Sequence, residues 1–308
     1  MKIDSMTKRA MTFGRRQAAE VLEQRDKGLK SRALAIKKRS VESKTSRVTV
    51  SPKYLAAAGG AEYVEVLVAE GDSWFDYPWN DVLSLLEDEH GYEVEDVAHA
   101  GDRIQEMAYE GGQLEKFTRK LEKVIRHGDV PKAILLSGGG NDIAGKEFAI
   151  LLNHANAPES GLNIPLAKEV VDQRIKHAYV TIISAITQVC KKRLGRVIPI
   201  LVHGYDYPVA DGRGYLWLGP WLHPGFQEKG YDNMEDRILI MEELIDRLNK
   251  MLLGISKLPD FKHVRHVDVR TSLSNDLSGK KWKKWWANEL HPTRKGFRLV
   301  AKKFADAL

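Results

Sequence analysis

The chain has 308 residues, 43% of them apolar, 29% charged and 8% aromatic, with one cysteine and a formal net charge of +6. A chain this long buries a large core without staples, and the lone Cys190 excludes both an internal disulfide and a multi-thiolate zinc knuckle. No run approaches the ~18 consecutive apolar residues of a membrane span, and MKIDSMTKRAMTFGRRQ lacks the apolar centre of a secretory signal, so a soluble, cytoplasmic protein is expected.

Charge divides the chain at about residue 60. Residues 1–60 hold 15 Lys and Arg against 5 Asp and Glu, whereas the other 248 residues hold 33 against 37. Nucleic acid or an anionic surface would be drawn to the first part. Only Phe13 and Tyr54 interleave its basic residues, however, which argues against single-strand binding. Leu22, Leu29 and Ile36 recur every seven residues, but Arg25 and Arg32 interrupt that seam, so a coiled coil is not expected. The reading is a basic, helical extension over 1–60 that lies on a domain spanning 61–308, with Ser40 to Gly60 as a linker.

Strand and helix patterns then alternate. VEVLVAEGDS is an apolar run ending in a turn, and WNDVLSLLEDEH has apolar residues at helical spacing. Further strands are predicted at 92–98, 133–137, 197–203 and 263–269, with helices at 104–126, 167–192, 234–253 and 292–307. Five strands separated by helices imply parallel crossovers, hence a doubly wound three-layer α/β/α sandwich with a five-stranded parallel sheet. In such a sheet ligands bind beyond the C-terminal strand ends, where strand order reverses. The unusual segments GDSWFDYP, AHAGDR, SGGGNDIAG and HGYDYP each follow a predicted strand, and NELHP precedes the last helix.

Ser73 on a strand-to-helix turn can attack a carbonyl if His291 accepts its proton. The negative charge that develops on the carbonyl oxygen needs fixed donors, which the backbone N–H groups of Ser73 and Gly101 and the side-chain amide of Asn141 can supply. Gly71-Asp72-Ser73, Gly101, Gly139-Gly140-Asn141-Asp142 and His291-Pro292 together resemble the four blocks of the SGNH (GDSL) hydrolase family, over roughly 64–308. The resemblance implies a flavodoxin-like sheet and an esterase, lipase, thioesterase or deacetylase with an acyl-enzyme intermediate and no cofactor. It also implies Ser73 as nucleophile, His291 as base, and Gly101 and Asn141 as oxyanion donors. One position departs: the family's Asp three residues before the His is Asn288 here. An Asp→Asn change in a Ser-His-Asp enzyme costs on the order of 10⁴ in turnover when the amide favours the wrong imidazole tautomer. The third member is therefore open between Glu289, the carbonyl oxygen of Asn288 and a backbone carbonyl. A degenerate scaffold that binds without catalysing is the alternative from another class.

Competing motifs are weaker. Gly140 to Lys146 has phosphate-loop spacing, but Glu147 stands where a hydroxyl should ligate magnesium. His99, His203 and His223, with Asp206 or Asp211, match no zinc spacing and read as hydrogen-bonding or pocket-lining groups. Asp72 and Asp142 read as ties within their own loops. The aromatic, Gly- and Pro-rich stretch 203–231 is expected either to pack on the sheet or to wall the site through Tyr205, Tyr207, Trp217 and Trp221. Trp74, Phe75, Tyr77 and Trp79, and the cluster Trp282, Trp285 and Trp286, can extend that wall.

Overall fold

The apolar runs form one sheet in the computed structural model of the chain, which describes residues 3–42, 64–78, 80–145, 147–216 and 218–308. Its five strands among the described residues are β1 (Val66–Glu70), β2 (Glu93–Asp96), β3 (Ala133–Leu136), β4 (Ile200–His203) and β5 (Val264–Val267). They lie in the order β2-β1-β3-β4-β5, and every pairing is parallel. All residues of β1, β3 and β4 are buried, as a sheet covered on both faces requires.

The chain steps from β1 outward to β2 and then back across the sheet through β3, β4 and β5. Right-handed crossovers therefore place α2 (Val82–His90) on one face and α4 (Gln113–His127), α6 (Lys176–Leu194) and α8 (Met234–Ser256) on the other. The final helix α9 (Arg294–Ala307) packs beside α2, α3 (Ile104–Tyr109), α4 and α8 pack against α6, and the short α7 (His223–Glu228) lies within the aromatic stretch 203–231. The result is the expected α/β/α sandwich. Two helix boundaries differ from the periodicity. The stretch 104–126 is broken into α3 and α4 by Gly111 and Gly112, both at positive φ. The helix expected from 167 begins at α5 (Ile164–Ala167), capped by Asn163, and passes through a wide-turned segment, Lys168–Ile175, before α6.

The basic extension forms α1 (Ser5–Glu42), which packs along α6. Of the seven-residue repeat, Leu22 is buried and Leu29 only partly so, and the side chain of Ile36 lies outside the described residues. The buried stripe is Thr7, Ala10, Met11, Ala18, Val21 and Leu22, with Gly14 at its centre. The small residues at 10, 14 and 18 let two helix backbones meet: a Cβ on Gly14 would lie 2.1 Å from the Thr181 carbonyl oxygen, and the Thr181 hydroxyl donates to the Ala10 carbonyl. This contact explains why α6 is apolar on almost every side, with Tyr179 to Ile183 all buried. Further along, Arg25 pairs with the buried Glu122 at 3.2 Å and Arg193 pairs with Asp26 at 2.7 Å. The helix runs three residues into the expected linker, and the rest of that linker lies outside the described residues. No helix among the described residues is long and apolar enough to cross a membrane.

Candidate active site

The strand order reverses between β2 and β3 about β1, so the loops after β1 and β3 meet at one crevice. Ser73 follows β1 in a tight turn in which the amides of Phe75 and Asp76 both donate to the Asp72 carbonyl. Gly71 is required by close approach, since a Cβ there would lie 2.8 Å from both the Phe75 ring and Ser137 Cβ.

The structure brings Ser73 and His291 together: Oγ lies 2.7 Å from Nε2. The other ring nitrogen, Nδ1, lies 2.9 Å from Oδ1 of Asn288. That same oxygen accepts the backbone N–H groups of Leu290 and His291 at 3.0 and 2.9 Å, while Asn288 Nδ2 donates to the Tyr77 hydroxyl at 3.2 Å. Backbone donors require an acceptor, so the amide orientation is fixed, Nδ1 carries the proton and Nε2 presents a lone pair to Ser73. Tyr77 stacks on the imidazole at 4.3 Å and Trp221 meets it edge-on at 5.5 Å. Burial lowers the His291 pKa to about 3.

Glu289 is not brought to His291, which corrects the first of the three alternatives for the third member. Its carboxylate turns to the opposite side and accepts four backbone N–H groups, from Gly212, Trp221, Leu222 and His223, at 2.7 to 3.1 Å. The residue anchors the aromatic stretch 203–231 against the histidine loop. Arg213 helps, donating to the carbonyls of Trp286 and Ala287 while paired with Asp211.

The loop carrying Gly101, at φ +93°, is fastened to the loop after β3 by two side chains. Asn141 Nδ2 donates to the Asp102 carbonyl at 2.9 Å, leaving its second N–H unused by that bond. The Asp142 carboxylate accepts the Ile104 amide at 2.8 Å and the Gln105 amide at 3.4 Å, at the start of α3. Asp142 therefore ties a neighbouring loop instead of its own, and burial raises its pKa to about 6.

Beneath Ser73 lies a buried polar chain. Tyr205 N–H donates to His203 Nδ1, His203 Nε2 faces the Ser137 hydroxyl at 2.8 Å, and that hydroxyl donates to Asp72 Oδ1, also at 2.8 Å. Asp72 further accepts the Trp74 amide and the Tyr205 hydroxyl, which in turn receives the Gly140 amide. His203, its pKa lowered to about 3 by burial, is neutral in this chain. Asp72 thus does more than the expected tie within its own loop: it fixes the turns after β1, β3 and β4 relative to one another.

A cavity of about 40 Å³ opens beside Ser73 and Asn141. Of the expected wall, Trp74 and Tyr205 line it, as does Trp286. Tyr207 does not: its hydroxyl donates to Asp246 on α8. Trp221 stands over His291 instead, Phe75 packs in the core against His203 and Phe304, and Trp79 and Trp217 lie outside the described residues. Sequence reasoning missed Ile143, Ala144, Leu222, Met241 and Ile245, which also line it. Met241 and Ile245 read as ordinary core positions of an amphipathic helix, so no local signal distinguishes them.

No protein-family profile and no curated protein sequence matches the chain. Solved structures do. An extracellular lipase from Streptomyces rimosus matches at 14% identity over 80% of this chain and 100% of that one, with a TM-score of 0.50. A GDSL-like lipase from Bacteroides thetaiotaomicron matches at 12% identity over 79% and 87%, with a TM-score of 0.39. A catalytic mutant of an acetylxylan esterase from Geobacillus stearothermophilus matches at 14% identity over 79% and 93%, with a TM-score of 0.40. At such identity the likeness is one of fold. The chain has the SGNH hydrolase fold, an architecture whose solved examples include lipases and esterases.

Proposed function

We propose that the protein is a serine hydrolase of carboxylic esters. The observation that carries this reading is the 2.7 Å contact between Ser73 Oγ and the unprotonated Nε2 of His291, with Nδ1–H held by Asn288. His291 takes the hydroxyl proton as Ser73 Oγ bonds to the ester carbonyl carbon. The backbone N–H groups of Ser73 and Gly101 and the second N–H of Asn141 receive the oxyanion. The carbon–oxygen bond to the alcohol then breaks, and Nε2 returns its proton to the departing oxygen. Water repeats the cycle on the acyl-enzyme, losing a proton to Nε2 as it attacks, and the acid leaves as Ser73 Oγ regains the proton. No step calls on a metal or an organic cofactor.

Labelling with a fluorophosphonate and turnover of a short aryl ester test the assignment together. The expected results are a mass increase located at Ser73 and a loss on the order of 10⁶-fold in kcat for Ser73→Ala, the scale seen when a serine hydrolase loses its nucleophile. An unlabelled Ser73 with undiminished turnover in Ser73→Ala would remove it from the mechanism. An unlabelled Ser73 in a chain that turns over no ester would instead favour a binding scaffold.

A further inference from the structure

We propose that the cavity beside Ser73 is the acyl pocket and that it selects short, uncharged acyl groups of about two to four carbons, an assignment that rests on the esterase reading above. Direction comes first. The alcohol must stay beside His291 Nε2 to receive its proton, and the carbonyl oxygen must face the donors of Asn141 and Gly101. The cavity is bordered by Ser73 and Asn141 but not by His291, so of the substrate's two halves it receives the acyl half.

Size and polarity set the selection. One water needs at least ~10–15 Å³ of space measured in this way, so about 40 Å³ holds roughly three such positions, the bulk of a short acyl chain. Its far wall is Met241 and Ile245 of α8 with Leu222 and Trp286, each no more than 3% exposed, and none can withdraw without disturbing the core. Of the polar groups on the lining, the Tyr205 hydroxyl is engaged by Asp72 and the Asp206 carboxylate by the amides of Tyr207, Thr271 and Leu273, while the buried Trp286 Nε1 makes no hydrogen bond. The pocket therefore offers apolar contact to a neutral chain and no cation to a charged one.

The test is the kcat/KM profile of p-nitrophenyl esters from acetate to octanoate for the full chain, Ala144→Leu and Met241→Ala. Each methylene that fits adds up to about fourfold, and the profile should fall at least about tenfold between butyrate and octanoate as the chain overfills the space. Ala144→Leu, at a partly exposed lining position, should lower butyrate at least about tenfold relative to acetate. Met241→Ala should move the optimum toward hexanoate and octanoate. Octanoate turnover matching that of butyrate, or an unchanged acetate-to-butyrate ratio in Ala144→Leu, overturns the pocket assignment while leaving the hydrolase intact. No turnover of any ester together with an unlabelled Ser73 overturns the hydrolase reading and the pocket with it.

Discussion

The side chain of Asn288 makes four hydrogen bonds, three accepted and one donated, and they explain how an amide can stand where a carboxylate is usual. An Asp→Asn exchange is costly when the amide is free to turn and present its NH₂ to the imidazole. Here two backbone N–H groups hold the oxygen toward Nδ1, so the productive tautomer is kept without a charge. Under the proposed mechanism the difference from a carboxylate lies in the imidazolium formed during turnover, which Asn288 meets with a neutral oxygen. Burial holds the His291 pKa down to about 3, and a base must be neutral to act. The acid limb of kcat/KM is therefore expected well below the ordinary histidine value, with activity retained as pH falls through 6. Asn288→Asp places a carboxylate on Nδ1 and should shift that limb upward by at least about one pH unit, with no more than about a tenfold gain at pH 8. A pH–rate profile of the two proteins decides the matter. A limb unmoved by the substitution removes Asn288 from contact with the base.

At the scale of elements, α1 is the clearest case of a pattern that charge obscured. Its basic residues dominate the composition, while the closest part of the seam that fixes it is Ala10, Gly14 and Ala18, small residues that carry little hydropathy signal. Backbone contact at Gly14 leaves no room for a side chain, and a Cβ there meets main-chain atoms that cannot swing aside. Gly14→Leu should therefore detach the start of α1 and uncover Thr181 and Ala185 on α6, costing about 2 kcal/mol or more. Limited proteolysis within 5–30 and a lowered Tm are the expected readouts. Unchanged protease resistance and Tm would mean that the helix is not held through that seam. The aromatic stretch 203–231 shows the same limit at a site. Its composition left open whether it packs on the sheet or walls the site, and which rings reach Ser73 and His291 depends on Glu289 gathering four amides. Trp221 is thereby set over His291, while Tyr207 is left to Asp246.

Across the whole molecule, stability follows pH through groups that burial has moved in opposite directions. Glu70, the last residue of β1, is 1% exposed; desolvation, with Asp102 and Asp96 nearby, raises its pKa to about 9. The folded state thus holds a proton that the unfolded chain releases near its ordinary value of 4.5. That contribution to stability is fully present below about pH 4.5 and is lost as pH rises toward 9. His203 and His291 act the other way: their folded pKa values lie near 3, so stability falls as pH drops below the ordinary histidine value. Glu70→Gln keeps an acceptor for the Gly71 amide and Gln113 without the proton to hold. Its Tm relative to the parent chain should rise between about pH 5 and pH 8.5, by about 3 °C or more. A Tm difference that does not grow with pH would show that Glu70 is ionised in the fold.

Period and punctuation are local properties, and for that reason the strands, most helices, the parallel architecture and the four motif blocks were all legible in the sequence. Residue type and strand-end position sufficed to nominate Ser73, Gly101, Asn141 and His291 before any geometry. Direction was not legible. Asn288 and Glu289 are chain neighbours of similar shape, yet one faces the imidazole and the other the amides of a distant loop. That choice belongs to the backbone of the histidine loop and to donors contributed from elsewhere in the chain. The floor of the cavity likewise draws on α8, a helix whose apolar face is indistinguishable in sequence from any other buried face. Only packing decided which of its residues meet the space beside Ser73, because contact between far-separated segments depends on how whole elements are laid against one another.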